Sequence, residues 1–165
     1  MKPFFLLFAI FISLSAFTQK PVTTIILVRH AEKADDSTKD PDLSDAGKQR
    51  AESLAKLLAK TKVDAIYSTA FKRTRNTAAP LAQQKGLTIE TYNPSKPEEI
   101  DAIIQKFSGG TILLVGHSNT TPAIINYLTG RKDEYKTFDD ADYGNIVIAS
   151  FTKRSTDTKL TWLTY

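Results

Sequence analysis

The chain has 165 residues, no cysteine, 41% apolar residues and a formal charge of +4. That length suits one domain with a substantial core, and the lack of cysteine excludes disulfides, a thiolate nucleophile and a lipid anchor on cysteine. Lys and Arg interleave with Asp and Glu, and no basic patch with interleaved aromatics argues for nucleic acid.

The first residues do not belong to the core. Lys2 precedes an apolar run from Phe4 to Phe17, and Ala16-Phe17-Thr18 offers a small-x-small cleavage context before Gln19. The run is shorter than the roughly 20 residues a membrane span needs, so 1–18 reads as a secretory signal peptide, with an uncleaved anchor as the alternative. The expected product is a single domain, 19–165, periplasmic or secreted, with no stable membrane insertion after cleavage. Nothing in the sequence sets its oligomeric state.

Ile25 to Val28 is too short for a helix and suits a strand buried on both faces. It runs into Arg29 and His30, where open α/β sheets hold ligands. Ala34 to Asp42 is a polar loop with Pro41, placed to rim that site. Ser44 is positioned to cap a helix burying Ala51, Leu54, Ala55 and Leu58 and ending near Lys60 or Lys62. Val63 to Tyr67 is a second strand, leaving through Ser68 and Thr69. Phe71 to Ala78 starts a helix presenting Arg73 and Arg75, which Pro80 is expected to kink or divide before Gly86 ends it.

Thr88 to Tyr92 is a third strand. Ser95-x-x-Glu98 with Pro97 reads as a capping box opening a helix buried through Ile100, Ile103, Ile104 and Phe107. Gly109-Gly110 turns the chain into Thr111 to Gly116. Thr121-Pro122 reads as a cap and first-turn proline of a short helix stopping at Gly130. Arg131 to Gly144 is an irregular polar loop near the site. Asn145 to Phe151 and Leu160 to Thr164 close the chain as strands that pair antiparallel at an edge. Strand and helix alternate through the first half, which predicts a three-layer α/β/α sandwich on a mostly parallel sheet.

The chain has two histidines, and their contexts repeat: Thr111-Ile-Leu-Leu-Val-Gly-His117 matches Thr24-Ile-Ile-Leu-Val-Arg-His30 at five of seven positions. The plainer reading is that each imidazole caps a strand through nearby backbone. Matched placement of both favours two strands delivering both imidazoles to one sheet edge. With arginines alongside, that edge suits a phosphoryl group. Guanidinium forks match phosphate oxygens, one neutral imidazole can attack phosphorus, and a second, protonated, can donate to the equatorial oxygens. Gly116 removes a side chain where backbone amides can approach phosphate.

Four segments resemble, in order, the histidine phosphatase superfamily of phosphoglycerate-mutase-like proteins. Leu27-Val-Arg-His30-Ala-Glu is similar to its Arg-His-Gly signature, and Leu43-Ser-x-x-Gly47-x-x-x-Ala51 to its first-helix opening. Tyr67-Ser-Thr-x-x-x-Arg73-Thr-x-Asn-Thr-Ala78 and Val115-Gly-His117-Ser resemble its second-arginine and second-histidine blocks. The resemblance implies that His30 becomes phosphohistidine while Arg29, Arg73, His117 and Ser118 bind phosphate. It implies a small phosphorylated substrate and neither metal nor cofactor. Arg75 is read as a solvated helix charge; Glu32 and Lys33 are either entrance or surface residues.

The family also places a general acid after the third strand. Glu98 is the candidate, with its capping role as a rival, and Glu90, Glu99, Asp35 and Asp142 remain open. The expected activity is phosphomonoester hydrolysis. The alternatives are a phosphomutase, for whose enclosing insertions the chain is short, and a phospho-ligand-binding protein lacking an acid. A metal-dependent hydrolase using His30, Glu32 and His117 is a third alternative.

Overall fold

The computed structural model describes residues 19–165, so the segment read as a signal peptide lies outside the described residues. Ten elements follow: β1 (Thr23–Arg29), α1 (Asp45–Leu57), β2 (Ala65–Ser68), α2 (Lys72–Lys85), β3 (Ile89–Thr91), α3 (Pro97–Lys106), β4 (Thr111–Gly116), α4 (Thr120–Thr129), β5 (Asn145–Phe151) and β6 (Lys159–Thr164). The six strands form one sheet in the order β3-β2-β4-β1-β5-β6. The first four in that order run parallel, and β5 and β6 are antiparallel additions at one side.

β1 and β4 are buried on both faces, as their continuous aliphatic runs require. Ile25 and Leu27 pack with Ile100, Ile103, Ile124 and Leu128 of α3 and α4. Ile26 and Val28 face the other way, onto Leu54, Ala55, Leu81 and Ala82 of α1 and α2. Alternation along one strand therefore fills both helical layers, each fully buried Ile or Leu adding roughly 1.5–3 kcal/mol. The layered sandwich expected from the sequence is the fold observed.

Register then sets the site. Arg29 pairs with Gly116, and the His30 amide donates to the Gly116 carbonyl at 2.9 Å, so the two strands release His30 and His117 side by side. The Cβ that Gly116 lacks would meet hydroxyl oxygens of Thr120, Thr121 and Tyr92 at 2.8–3.2 Å. Its vacancy makes room for α4 and Tyr92 rather than for phosphate.

Several local expectations shift. α1 is capped by Ser44, whose hydroxyl accepts from the Gly47 amide, but it ends at Leu57. Residues 59–62 bring no further apolar face, and Lys85 Nζ ties off the Ala59 and Thr61 carbonyls at 2.7 and 2.8 Å. α2 runs unbroken through Pro80. Burial of Ala78, Leu81 and Ala82 on either side of the proline offsets the roughly 3 kcal/mol an interior proline costs.

The capping box at α3 is not formed. Lys96 is the cap residue because Pro97, with its fixed φ, takes the first helical position. The Ser95 amide instead donates to Asn93 Oδ1. α4 starts earlier than expected, its cap being Asn119, two residues before Thr121, and its first residue Thr120; Thr120 Oγ1 accepts from the His117 amide at 2.9 Å and draws the chain into the helix there. Gly86 and Gly130 end α2 and α4 in the left-handed conformation as expected.

Candidate active site

At the carboxyl ends of β1, β2 and β4 lies a cleft of about 1100 Å³. Arg29, His30, Arg73, His117 and Ser118 all line it, so the residues singled out in the sequence converge. Arg29 and His30 are buried, at 5% and 6% exposure.

His30 is held in one tautomer. Its Nδ1 lies 2.7 Å from the Ala31 carbonyl oxygen, an acceptor only, so Nδ1 carries the proton and Nε2 keeps a lone pair. Ala31 is fixed in turn by its amide, which donates to Thr77 Oγ1 at 2.9 Å, while the Thr77 hydroxyl donates to the Arg73 carbonyl at 2.7 Å. Burial, helped by His117, Arg73 and Arg29, lowers the His30 pKa to about 4 despite the Ala31 hydrogen bond. The imidazole is neutral at pH 7, as a nucleophile must be.

His117 sits with its ring centroid 5.4 Å from that of His30. Its Nε2 is 2.9 Å from Thr69 Oγ1. Thr74 spends its one hydroxyl proton on the carbonyl of Thr69 or Phe71, so the Thr69 proton goes to Thr74 Oγ1. Thr69 then accepts from His117, which places a proton on Nε2. Burial, followed by the Arg73 and Arg29 charges, lowers the His117 pKa to about 4.

Arg29 reaches across to the loop before β5. Its Nη1 donates to the carbonyls of Asp139, Asp140 and Asp142 at 2.7, 3.2 and 3.0 Å, and its Nε has no protein partner. That loop brings Asp140 and Tyr143 to the cleft wall. Arg73, half-buried at the start of α2, pairs with Asp40 at 3.7 Å. Arg75 donates to Thr91 Oγ1 and does not line the cleft.

Glu98 is exposed and absent from the cleft wall, and its charge acts on Tyr127. Its place at the second position of α3 turns it aside. The neighbour Glu99 does line the cleft, with Oε2 accepting from the Asn93 amide at 2.7 Å and Oε1 3.4 Å from Lys96 Nζ. Glu90, Asp35 and Asp142 are not on the wall; Asp140 is, a carboxylate the sequence reading passed over inside an irregular loop. Lys33 is a lining residue, whereas Glu32 is not. Burial by itself would raise the Glu32 pKa, but hydrogen bonds from Arg50 at 2.7–3.0 Å hold it below the usual carboxylate range. With Glu32 turned to Arg50, His30, Glu32 and His117 do not cluster as metal ligands among the described residues.

Thr69, Thr77 and Thr120 are the supports that sequence reasoning missed. Their signal was present, since Thr69 and Thr77 lie within the second-arginine block, but a threonine gives no hint of which distant backbone it holds.

Residues 25–93 match the model of the histidine phosphatase superfamily (branch 1), a span that includes Arg29, His30 and Arg73 and stops before His117. Over 71 residues the chain is 42% identical to phosphoserine phosphatase 1 of Hydrogenobacter thermophilus, covering 39% of this chain and 34% of that protein. The match thus spans about a third of the relative's length. Among solved structures, a putative alpha-ribazole-5'-P phosphatase from Escherichia coli superposes with a TM-score of 0.71 at 15% identity, over 87% of this chain and 96% of that one. A phosphoserine phosphatase from Entamoeba histolytica, solved with 3-phosphoglyceric acid, gives 0.67 at 19% identity, over 87% and 97%. At such identities the likeness is one of fold.

Proposed function

We propose that the chain is a member of the histidine phosphatase superfamily and hydrolyses small phosphomonoesters through a phosphohistidine formed on His30; the match of residues 25–93 to that family's model and a fold shared with solved phosphatases support the reading. The observation that carries the reading is the 2.7 Å contact from His30 Nδ1 to the Ala31 carbonyl, which leaves a neutral Nε2 lone pair in a cleft lined by Arg29, Arg73 and His117.

In the first step Nε2 attacks phosphorus as the bond to the ester oxygen breaks, and the leaving alkoxide takes a proton. In the second, water attacks phosphorus, the N–P bond breaks, inorganic phosphate departs and neutral His30 is restored. Arg29 and Arg73 receive the charge spreading over the three equatorial oxygens. A bound phosphate dianion raises the His117 pKa and lets it donate as well. The proton for the alkoxide comes from a group on the cleft wall; Glu99 and Asp140 are the carboxylates placed there.

Intact mass after rapid alkaline quench during turnover of an aryl phosphate tests this. One phosphoryl adduct in wild type, absent in His30→Ala, is the expected result; neither adduct nor released phosphate overturns it. Glu98 lying off the wall favours one second reading, a protein that binds phospho-ligands without turnover, which calorimetry with phosphate alongside an activity assay separates. Export completes the proposal, supported by the apolar run of residues 4–17 behind Lys2. Its test is the amino-terminal sequence of the mature protein, expected to begin at Gln19.

A further inference from the structure

Cations as buried as Arg29 ordinarily need an opposite charge. Arg29 has none in contact: among the described residues it enters no salt bridge, its hydrogen bonds go to neutral carbonyls, and Glu32, which feels its charge, is turned to Arg50. Arg73 has only Asp40, at 3.7 Å. What each guanidinium does have is an aromatic face. Arg29 Cζ lies 4.1 Å from the Tyr143 ring centroid, and Arg73 Cζ lies 4.4 Å from that of Phe71.

The same two rings reach the imidazoles. Phe71 meets His117 at 5.1 Å and 89°, and Tyr143 meets His30 at 6.0 Å and 57°. The cleft is thus built from two sets of arginine, aromatic ring and histidine, one from the start of α2 with β4, the other from β1 with the loop before β5. Phe71 is 40% exposed and belongs to no core cluster, so folding alone does not account for a phenylalanine there.

We infer that Phe71 and Tyr143 are positioning residues of the phosphate site, their ring faces holding the Arg73 and Arg29 guanidinia where carboxylates would otherwise be needed. A carboxylate would steady each arginine but would compete with phosphate for it. The negative face of a ring attracts the cation without neutralising it, so the Arg29 charge is left for the dianion, and Arg73 shares its own only with Asp40 across 3.7 Å. This assignment rests on the phosphatase reading for its purpose, but its test does not depend on turnover.

The affinity of the purified protein for inorganic phosphate, measured by calorimetry, is compared for wild type, Phe71→Leu, Tyr143→Leu, Phe71→Tyr and Tyr143→Phe, with thermal melts to confirm folding. Each leucine variant is expected to bind phosphate about tenfold more weakly, with KM for an aryl phosphate rising in step, while each aromatic exchange stays within about twofold of wild type. Should Tyr143→Leu not fold, the exposed Phe71 position decides alone. Unchanged affinity in folded leucine variants overturns the inference, and so does a Tyr143→Phe loss as large as that of Tyr143→Leu, which would assign the effect to the phenol. Weaker phosphate binding in the leucine variants of a protein that hydrolyses no ester supports the inference while overturning the phosphatase reading.

Discussion

The imidazoles of His30 and His117 meet edge to face, their centroids 5.4 Å apart and their planes at 67°. Both are neutral well below their ordinary range, with burial the largest cause and the two arginines adding to it. The unfolded chain takes up protons on these groups near pH 6.5, the folded chain only near pH 4, so falling pH between those values favours unfolding. Urea midpoints at pH 7 and pH 4.5 should therefore separate more for wild type than for a His30→Asn, His117→Asn double variant. Equal separations would count against neutral buried imidazoles. Turnover, by the same shift, should persist below pH 6 before it fails on the acid side.

Arg29 is expected to matter twice. Three carbonyls of the loop before β5 converge on its Nη1. Arg29→Met should lower stability by about 1–3 kcal/mol, since buried acceptors are left unmade, and should abolish phosphate binding. A melt unchanged from wild type would remove the loop-anchoring role.

Thr77 acts through Ala31. Thr77→Val keeps the shape and deletes the acceptor for the Ala31 amide, which loosens the carbonyl that sets the His30 tautomer. A stability loss of about 1–2 kcal/mol is expected, with kcat falling more than KM changes. Thr77→Ser should restore most of both, and a kcat loss that serine does not restore would point to packing instead.

Gly47 approaches the backbone of Glu32 so closely that a Cβ would sit 2.1 Å from the Glu32 oxygen. That oxygen already accepts from the Ser44 amide, fixing the start of α1 against the strand exit. Gly47→Ala should cost more than about 2 kcal/mol in a denaturation series, because rigid backbone has to move. A change below 0.5 kcal/mol would show that α1 slides freely.

Glu98→Gln should leave hydrolysis of both alkyl and aryl phosphates within about twofold of wild type, given its exposure off the cleft. A selective loss on alkyl phosphates, whose poor leaving group needs the proton most, would return Glu98 to the role of acid.

Local pattern along the chain was enough to place the strands, the helices and most of the phosphate-facing residues. Matched aliphatic runs ending in His30 and His117 made two buried strands with their histidines at one edge, because burial on both faces demands a continuous apolar run and strand register carries the next residue with it. The blocks around Gly47, Arg73 and His117 carried the resemblance to a family for a similar reason, each being a short stretch whose chemistry depends on its own neighbours. Tertiary structure alone decided the rest. Pro80 sits in an unbroken helix because packing outweighs one lost hydrogen bond, and Ser95 lost its cap to Pro97 one step along. The cleft-facing carboxylate became Glu99 rather than Glu98, since one position on a helix is a turn of about 100°. Asp140 and Tyr143 reach the site on a loop that Arg29, more than a hundred residues earlier in the chain, gathers by its carbonyls, with the Phe138 amide donating to the Ser118 carbonyl. Contacts of that kind join backbone atoms that every residue possesses, so no side-chain pattern in the sequence announces them.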